Sequence, residues 1–288
     1  MENICALFGV SRQAFYDAKK QEQTVTIAQM IVLCLVRETR QIMPLIGTRK
    51  LIQQLAIPLK EHGIKIGRDQ LFELLRFHGL LVRRRRRMVK TTDSHHWLKK
   101  YPNLTIGIIL NESEQLWVSD ITYIRTLQGF SYLSLITDAF SRRIVGYCLY
   151  PTLEAIGCIY ALEMAMETRK KECKLIHHSD RGIQYCSAAY VAMLTSGKID
   201  ISMTQSGSPY ENALAERMNG ILKNEFYPKR VYQNHKEAVK VLASNIQIYN
   251  SKRPHLSLGY LTPDIAHNMT GEITKSWKEY PKKRKQVL

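Results

Sequence analysis

An α/β domain built on a mixed sheet, preceded by a basic all-helical region, is the fold class this sequence predicts. Three observations point there. Apolar spacing is helical over roughly the first eighty residues, and near Leu116 it gives way to long strand-like runs. Beyond Leu153, helix and strand patterns alternate. Between the two regimes stands an unbroken run of arginines, Arg83, Arg84, Arg85, Arg86 and Arg87. A block of like charge rarely packs, so a domain boundary belongs there.

The elements follow in order. Ala6 to Tyr16 reads as a short helix, a turn at Gly9, a cap at Ser11 and a second helix, which is the pattern of a helix-turn-helix. Arg12 and Gln13 would occupy the exposed start of that second helix. Thr26 to Thr39 carries Ile27, Ile31, Leu35 and Val36 at helical spacing. Thr48 to His62 repeats the pattern with Leu51, Ile52, Leu55 and Leu59, broken by Pro58. Gly67 and Arg68 open a third helix that turns Leu71, Leu74, Leu75 and Phe77 inward, and Gly79 stops it. A basic start to the third helix suits a winged-helix or helix-turn-helix module, with a plain helical bundle as the alternative.

Leu116 to Thr126 and Phe130 to Phe140 read as strands joined in a hairpin through Leu127-Gln128-Gly129. Arg142 to Tyr150 makes a third strand. A helix over Leu153 to Lys170, a strand over Leu175 to His178, a helix over Ala188 to Thr195 and a strand over Ile199 to Met203 come next. A helix over Tyr210 to Phe226 ends the series. Three antiparallel strands followed by helix-strand-helix-strand-helix is the order of a ribonuclease-H-like fold, in which the first and fourth strands are neighbours. The expected organisation is a helix-turn-helix-type region over 1–82, a basic linker over 83–112, the α/β core with a C-terminal helix over 113–270, and a basic tail over 271–288.

Composition narrows the partners. Against 25 acidic residues stand 42 lysines and arginines, a net charge of +17. A polyanion such as nucleic acid is the expected partner. No apolar run approaches the roughly eighteen residues of a membrane span. The start, Met1-Glu2-Asn3-Ile4-Cys5, lacks the order of a signal peptide. A cytoplasmic protein, associated with the nucleoid when bound to DNA, is expected. The six cysteines form no CxxC pair, and the His95-His96 and His177-His178 doublets have no cysteine pair nearby. Reduced thiols, rather than a zinc site, are expected.

Against this basic background three carboxylates stand out. Asp120 lies inside the apolar run Leu116 to Ile124, Asp180 closes the strand pattern before Gly182, and Glu216 sits on the last helix. A carboxylate in an apolar strand is costly unless it is paired or bound to metal. At 3.6 residues per turn, Asn212, Glu216, Asn219 and Lys223 form one polar stripe, opposite Leu214, Met218, Ile221 and Leu222. Three carboxylates within about 4–5 Å would repel by roughly 4 kcal/mol per pair at an effective dielectric near 20. Divalent cations remove that penalty, and a hard-oxygen ligand set favours Mg²⁺ or Mn²⁺, two ions for in-line phosphodiester displacement. Lys223 would hold a substrate phosphate beside them. Asp138 reads as a turn residue.

Four blocks carry a family resemblance. Leu116-Trp117-Val118-Ser119-Asp120-Ile121-Thr122-Tyr123-Ile124, the run His178 to Tyr185, the run Gly207 to Glu216, and Lys252-Arg253-Pro254-His255 through Pro263 closely resemble signature blocks of bacterial insertion-sequence transposases of the IS three family. Those enzymes share their catalytic core with retroviral integrases. The resemblance implies a DDE transposase that cleaves DNA at element ends and joins the freed 3′-hydroxyl to another phosphodiester. Asp120, Asp180 and Glu216 would be its metal-binding triad and Lys223 the basic residue following the glutamate. It also implies terminal inverted repeats and target DNA as partners, a homo-oligomer, and an upstream-frame helix-turn-helix protein beside this downstream-frame product. Arg12, Gln13, Arg68, Arg83 to Arg87, Asn212 and Lys223 are the expected DNA contacts. A nuclease of the same fold without strand transfer, or a catalytically silent DNA-binding derivative, are the alternatives.

Overall fold

A computed structural model describes residues 11–82, 98–170, 173–205, 212–226 and 231–273. The chain divides into two compact units, 1–83 and 84–288.

The first unit is all helical: α1 (Arg12–Ile42), α2 (Thr48–Gln54), α3 (Ala56–Glu61) and α4 (Arg68–Phe77). Ser11 caps α1 as expected, its hydroxyl accepting from the Ala14 N–H at 3.0 Å. The helix expected over Thr26 to Thr39 is only the later part of this 31-residue helix. Nothing from Arg12 to Ile42 is Gly or Pro, so no residue interrupts the ladder. Val32, Leu33 and Val36 are buried, whereas Ile27, one of the apolar residues at helical spacing, is 55% exposed. The single helix expected around Pro58 is two, α2 and α3, meeting at Leu55, and Leu55 and Leu59 both join the core. Gly67 starts α4, and Gly79, in the left-handed conformation at φ 65°, follows its end. Leu71 and Leu75 are fully buried, but Phe77, expected beside them, is 86% exposed. Two residues along a helix is about 200° of rotation, which turns Phe77 away from the Leu75 face. The Gly9 turn, the Arg12 side chain and Arg83 to Arg87 lie outside the described residues.

The second unit is a five-stranded sheet of β1 (Leu116–Thr126), β2 (Gly129–Asp138), β3 (Ile144–Tyr150), β4 (Leu175–Ser179) and β5 (Ile199–Met203), in the order β3-β2-β1-β4-β5. β1 to β3 are antiparallel neighbours, while β4 and β5 run parallel to β1. This is the ribonuclease-H-like arrangement, with the first and fourth strands side by side. The connecting helices are α5 (Ala155–Thr168) and α6 (Ala188–Ser196). On one face of the sheet, Trp117, Ile136 and Leu175 pack with Ala161, Leu162 and Ala165 of α5 and Tyr190 and Leu194 of α6. Close approach of α5 demands Gly146 on β3, because a Cβ there would come 2.1 Å from the Ala161 carbonyl oxygen.

Leu116, Val118 and Ala139 pack with Ala215 of α7 (Ala213–Ile221) in a second cluster. The helix expected over Tyr210 to Phe226 is α7 continued by a π-type turn over Leu222–Phe226; Tyr210 and Glu211 lie outside the described residues. Then come α8 (His235–Lys252) and the short α9 (Pro263–His267). α8 docks on β3 through Asn250, whose side chain exchanges two 2.9 Å hydrogen bonds with the Ile144 backbone. Part of the stretch expected as linker is packed instead. Leu98 and Tyr101 lie against the core, the Met203 N–H donates to the Pro102 carbonyl, and the Leu104 N–H donates to Ser202 Oγ at 2.8 Å. β5 would otherwise be an open sheet edge, and this segment covers it.

Asp138 ends β2 and accepts from Ser141 N–H and Oγ–H at 2.8 and 2.7 Å, which is a turn contact. It is also fully buried and accepts from the Glu114 N–H at 2.7 Å, so it braces the core as well.

Candidate active site

The parallel pairing of β1 with β4 sets Leu116 beside Ile176 and Val118 beside His178. Continued two residues further, past the end of β4 at Ser179, the same offset would set Asp120 opposite Asp180, and the charge of Asp180 acts on Asp120. Period-2 alternation keeps Val118 and Asp120 on the face covered by Ala215 of α7, so both aspartates lie toward the helix that carries Glu216. Asp180 is oriented by its own turn, its Oδ1 accepting the Gly182 N–H at 2.9 Å. A Cβ on Gly182 would stand 3.0 Å from that oxygen, which accounts for glycine at the strand exit.

α7 is pinned to β1 at two points. Asn212 is buried, and its amide donates to the Ser119 carbonyl at 3.0 Å. One turn beyond Glu216, the Asn219 amide donates to Asp120 Oδ2 at 2.8 Å. The stripe expected along this helix therefore divides by job. Glu216 is exposed, Asn212 and Asn219 tie the helix to the strand, and Lys223 is half-buried on the π-type turn. Asn212, expected at the DNA surface, is occupied by the strand backbone. Asn219 lay on the expected stripe without a role of its own; its spacing of three from Glu216 was the available signal.

Electrostatics couples the carboxylates. Burial, then the charge of Asp180 and more weakly that of Glu216, pushes the Asp120 carboxyl up to about 7, against the opposing pull of the Asn219 hydrogen bond. The Lys223 ammonium is shifted down by burial, with the Asp120 charge acting the other way. Among the described residues, no three His, Cys, Asp or Glu side chains are gathered at metal-ligating distance. The donor chemistry still fits a hard divalent cation. Asp120 is raised first by burial and then by the charges of two other carboxylates, both of which a bound cation would offset. Beneath the site, Ser119 Oγ and Tyr190 Oη converge on His177 Nε2 at 2.7 and 2.9 Å. Burial drives the His177 pKa down to about 3, so this ring is a neutral strut. His178 Nδ1 lies 2.8 Å from Ser202 Oγ within the same sheet.

Of the expected DNA contacts elsewhere, Gln13 is exposed on the first turn of α1. Arg68 is exposed at the start of α4, with its guanidinium on Asp69 at 2.8 Å. The C-terminal block also proves structural. Arg253 is 1% exposed and forks onto Glu225 of the π-type turn, at 2.7 and 2.9 Å. Sequence reading picked out the block but gave this pair no role, since its members are 28 residues apart.

Residues 111–209 match the family described as integrase core domain, and residues 197–263 match a second family of the same description. The chain is 34% identical, over 90% of its length and 96% of the relative's, to the insertion element IS600 uncharacterized 31 kDa protein of Shigella sonnei. Similarity to the transposase for insertion sequence element IS629 of Shigella sonnei is 33% identity over 75% of this chain and 72% of that one. With transposase InsF for insertion sequence IS3fB of Escherichia coli K12 it shares 28% identity over 92% and 93% of the two chains.

Proposed function

From the membership of this chain in the bacterial insertion-sequence transposases with an integrase core, the group that includes the IS three family, we propose that it cleaves DNA at element ends and transfers the freed strand. The enzyme is a polynucleotidyl transferase, and its substrate is DNA. Asp120, Asp180 and Glu216 are proposed as the ligands of two Mg²⁺ or Mn²⁺ ions. The observation that carries this is the β1–β4 register, whose continuation sets Asp120 beside Asp180, together with the Asn219 bond that holds the Glu216 helix against Asp120.

The residues around the site do the holding. Asn219 fixes one Asp120 oxygen, and the Gly182 N–H fixes one oxygen of Asp180. Asn212 sets the start of the helix at Ser119, so that Glu216 projects one turn later. Lys223 supplies a fixed positive charge for a backbone phosphate near the reacting end. When bound, the cations activate a water or 3′-hydroxyl and stabilise the leaving oxygen, so no side-chain nucleophile is required. Terminal repeats bound by the N-terminal unit, with Gln13, Arg68 and the arginine run at the phosphates, complete the proposal. A homo-oligomer follows from the need to join two ends in concert, and an upstream-frame helix-turn-helix protein is the proposed partner.

The test is strand transfer by the full chain on linear duplexes carrying the terminal sequences of its own element, in Mg²⁺ or Mn²⁺. Glu216→Gln, which keeps shape and loses charge, is expected to abolish cleavage and joining while DNA binding persists. Substantial joining by that variant at saturating metal would sink the triad. Cleavage without joining by the wild type would leave a nuclease of the same fold.

A further inference from the structure

The π-type turn over Leu222–Phe226 continues α7 directly, and two of its charged residues face different neighbours. Lys223 follows by one turn Asn219, whose amide bonds Asp120, and so lies on the side of the helix that meets the acidic site; the Asp120 charge acts on it there. Glu225 is turned the other way and receives both arms of the buried Arg253 fork. Arg253 is itself clamped. Its guanidinium lies 5.6 Å over the Tyr249 ring; the Tyr249 hydroxyl donates to the Arg142 carbonyl at 2.8 Å, and His255 Nε2 lies 2.7 Å from Tyr249 Oη. π-type turns are rare and occur frequently at functional sites, and this one is tied from outside its own helix. Here the tie is a bidentate ion pair to a rigid helix end, the strongest form of directional contact a side chain offers.

We propose that Arg253 is a positioning residue for DNA chemistry: through Glu225 it holds the π-type turn in the form that aims Lys223 at the acidic site. The inference rests on the reading of that site as catalytic. It goes beyond a stabilising role, since a buried ion pair is by itself weak evidence for stability. The pair sets a direction for Lys223, and loss of that direction costs turnover while the fold survives.

The experiment is a double-mutant cycle on Mn²⁺-dependent nicking of supercoiled plasmid by the full chain, with Arg253→Lys and Lys223→Ala. Melting temperature confirms that each protein is folded at the assay temperature. Arg253→Lys keeps the charge and loses the fork, so kcat/KM for DNA is expected to fall about 10-fold or more. In the Lys223→Ala background the same substitution is expected to cost less than about 2-fold, because the group it positions is gone. Glu225→Gln is taken through the same cycle, so a poorly folded Arg253→Lys does not stop the test. Losses that multiply, or a folded fork variant with full turnover, overturn the inference while leaving the site reading intact. A wild type without metal-dependent nicking overturns the site reading and this inference with it.

Discussion

Removing the charge of Asp120 should stabilise the metal-free protein and abolish its response to metal. In the folded chain the carboxyl titrates near 7, against an ordinary 3.8 in the unfolded chain. With the folded value raised, the folded state holds its extra proton between those two pH values. Stability is thus fully present below pH 4 and declines by about 1.4 kcal/mol per pH unit as pH rises toward 7. Over the whole interval between the two values the loss has a ceiling of about 4 kcal/mol. Asp120 keeps part of its surface in water, so about 2 kcal/mol is the realistic gain. Asp120→Asn removes that liability and retains an oxygen for the Asn219 amide. In EDTA at pH 8 the variant should melt several degrees above wild type, at about 2–4 °C per kcal/mol for a unit of this size. At pH 4 the two should nearly coincide. Added Mn²⁺ should raise the wild-type melting point and leave the variant unmoved. Equal melting points in EDTA at pH 8, or a variant that responds fully to Mn²⁺, would refute the electrostatic reading of the site.

Further outcomes are open to measurement. Lys223→Ala should reduce strand transfer most at physiological salt and recover in part at low salt, with the log-log salt slope of end binding flattened by about one. An unchanged slope with full activity would make Lys223 an ordinary helix charge. Asp138→Asn should cost about 1–3 kcal/mol, read by denaturant unfolding, because an amide replaces an oxygen that accepts from the Glu114 or Ser141 N–H. Its activity per folded molecule should stay normal. Removing residues 1–90 should impair selection of element ends and spare metal-dependent nicking of generic DNA, which competition binding against random duplexes would show.

Much of the fold was legible because its signals are local. Strand-like runs marked β1 to β5, and helical spacing marked the helices between them. Asp120 stood out in one dimension, as a carboxylate inside an apolar strand. Where burial depends on what covers a helix, local spacing failed. Ile27 and Phe77 fit an apolar stripe and yet are exposed. The π-type turn was hidden for a similar reason, since Leu222 to Phe226 reads as ordinary helix and its external tie comes from elsewhere in the chain.

By itself, then, the amino-acid order determined the elements, their succession, the three carboxylates and the polar stripe on α7, because the setting of each is written in its own short stretch of chain. Only the tertiary structure decided what those residues do together. The offset of β1 against β4, whose continuation sets Asp120 beside Asp180, is a pairing between distant segments. So is the 99-residue step from Asn219 to Asp120. The rise of the Asp120 carboxyl to about 7 belongs to no residue alone, because it sums burial with the charges of Asp180 and Glu216. Strand register and side-chain packing arise when segments far apart in the chain meet, and neither leaves a periodic trace in the sequence of either one.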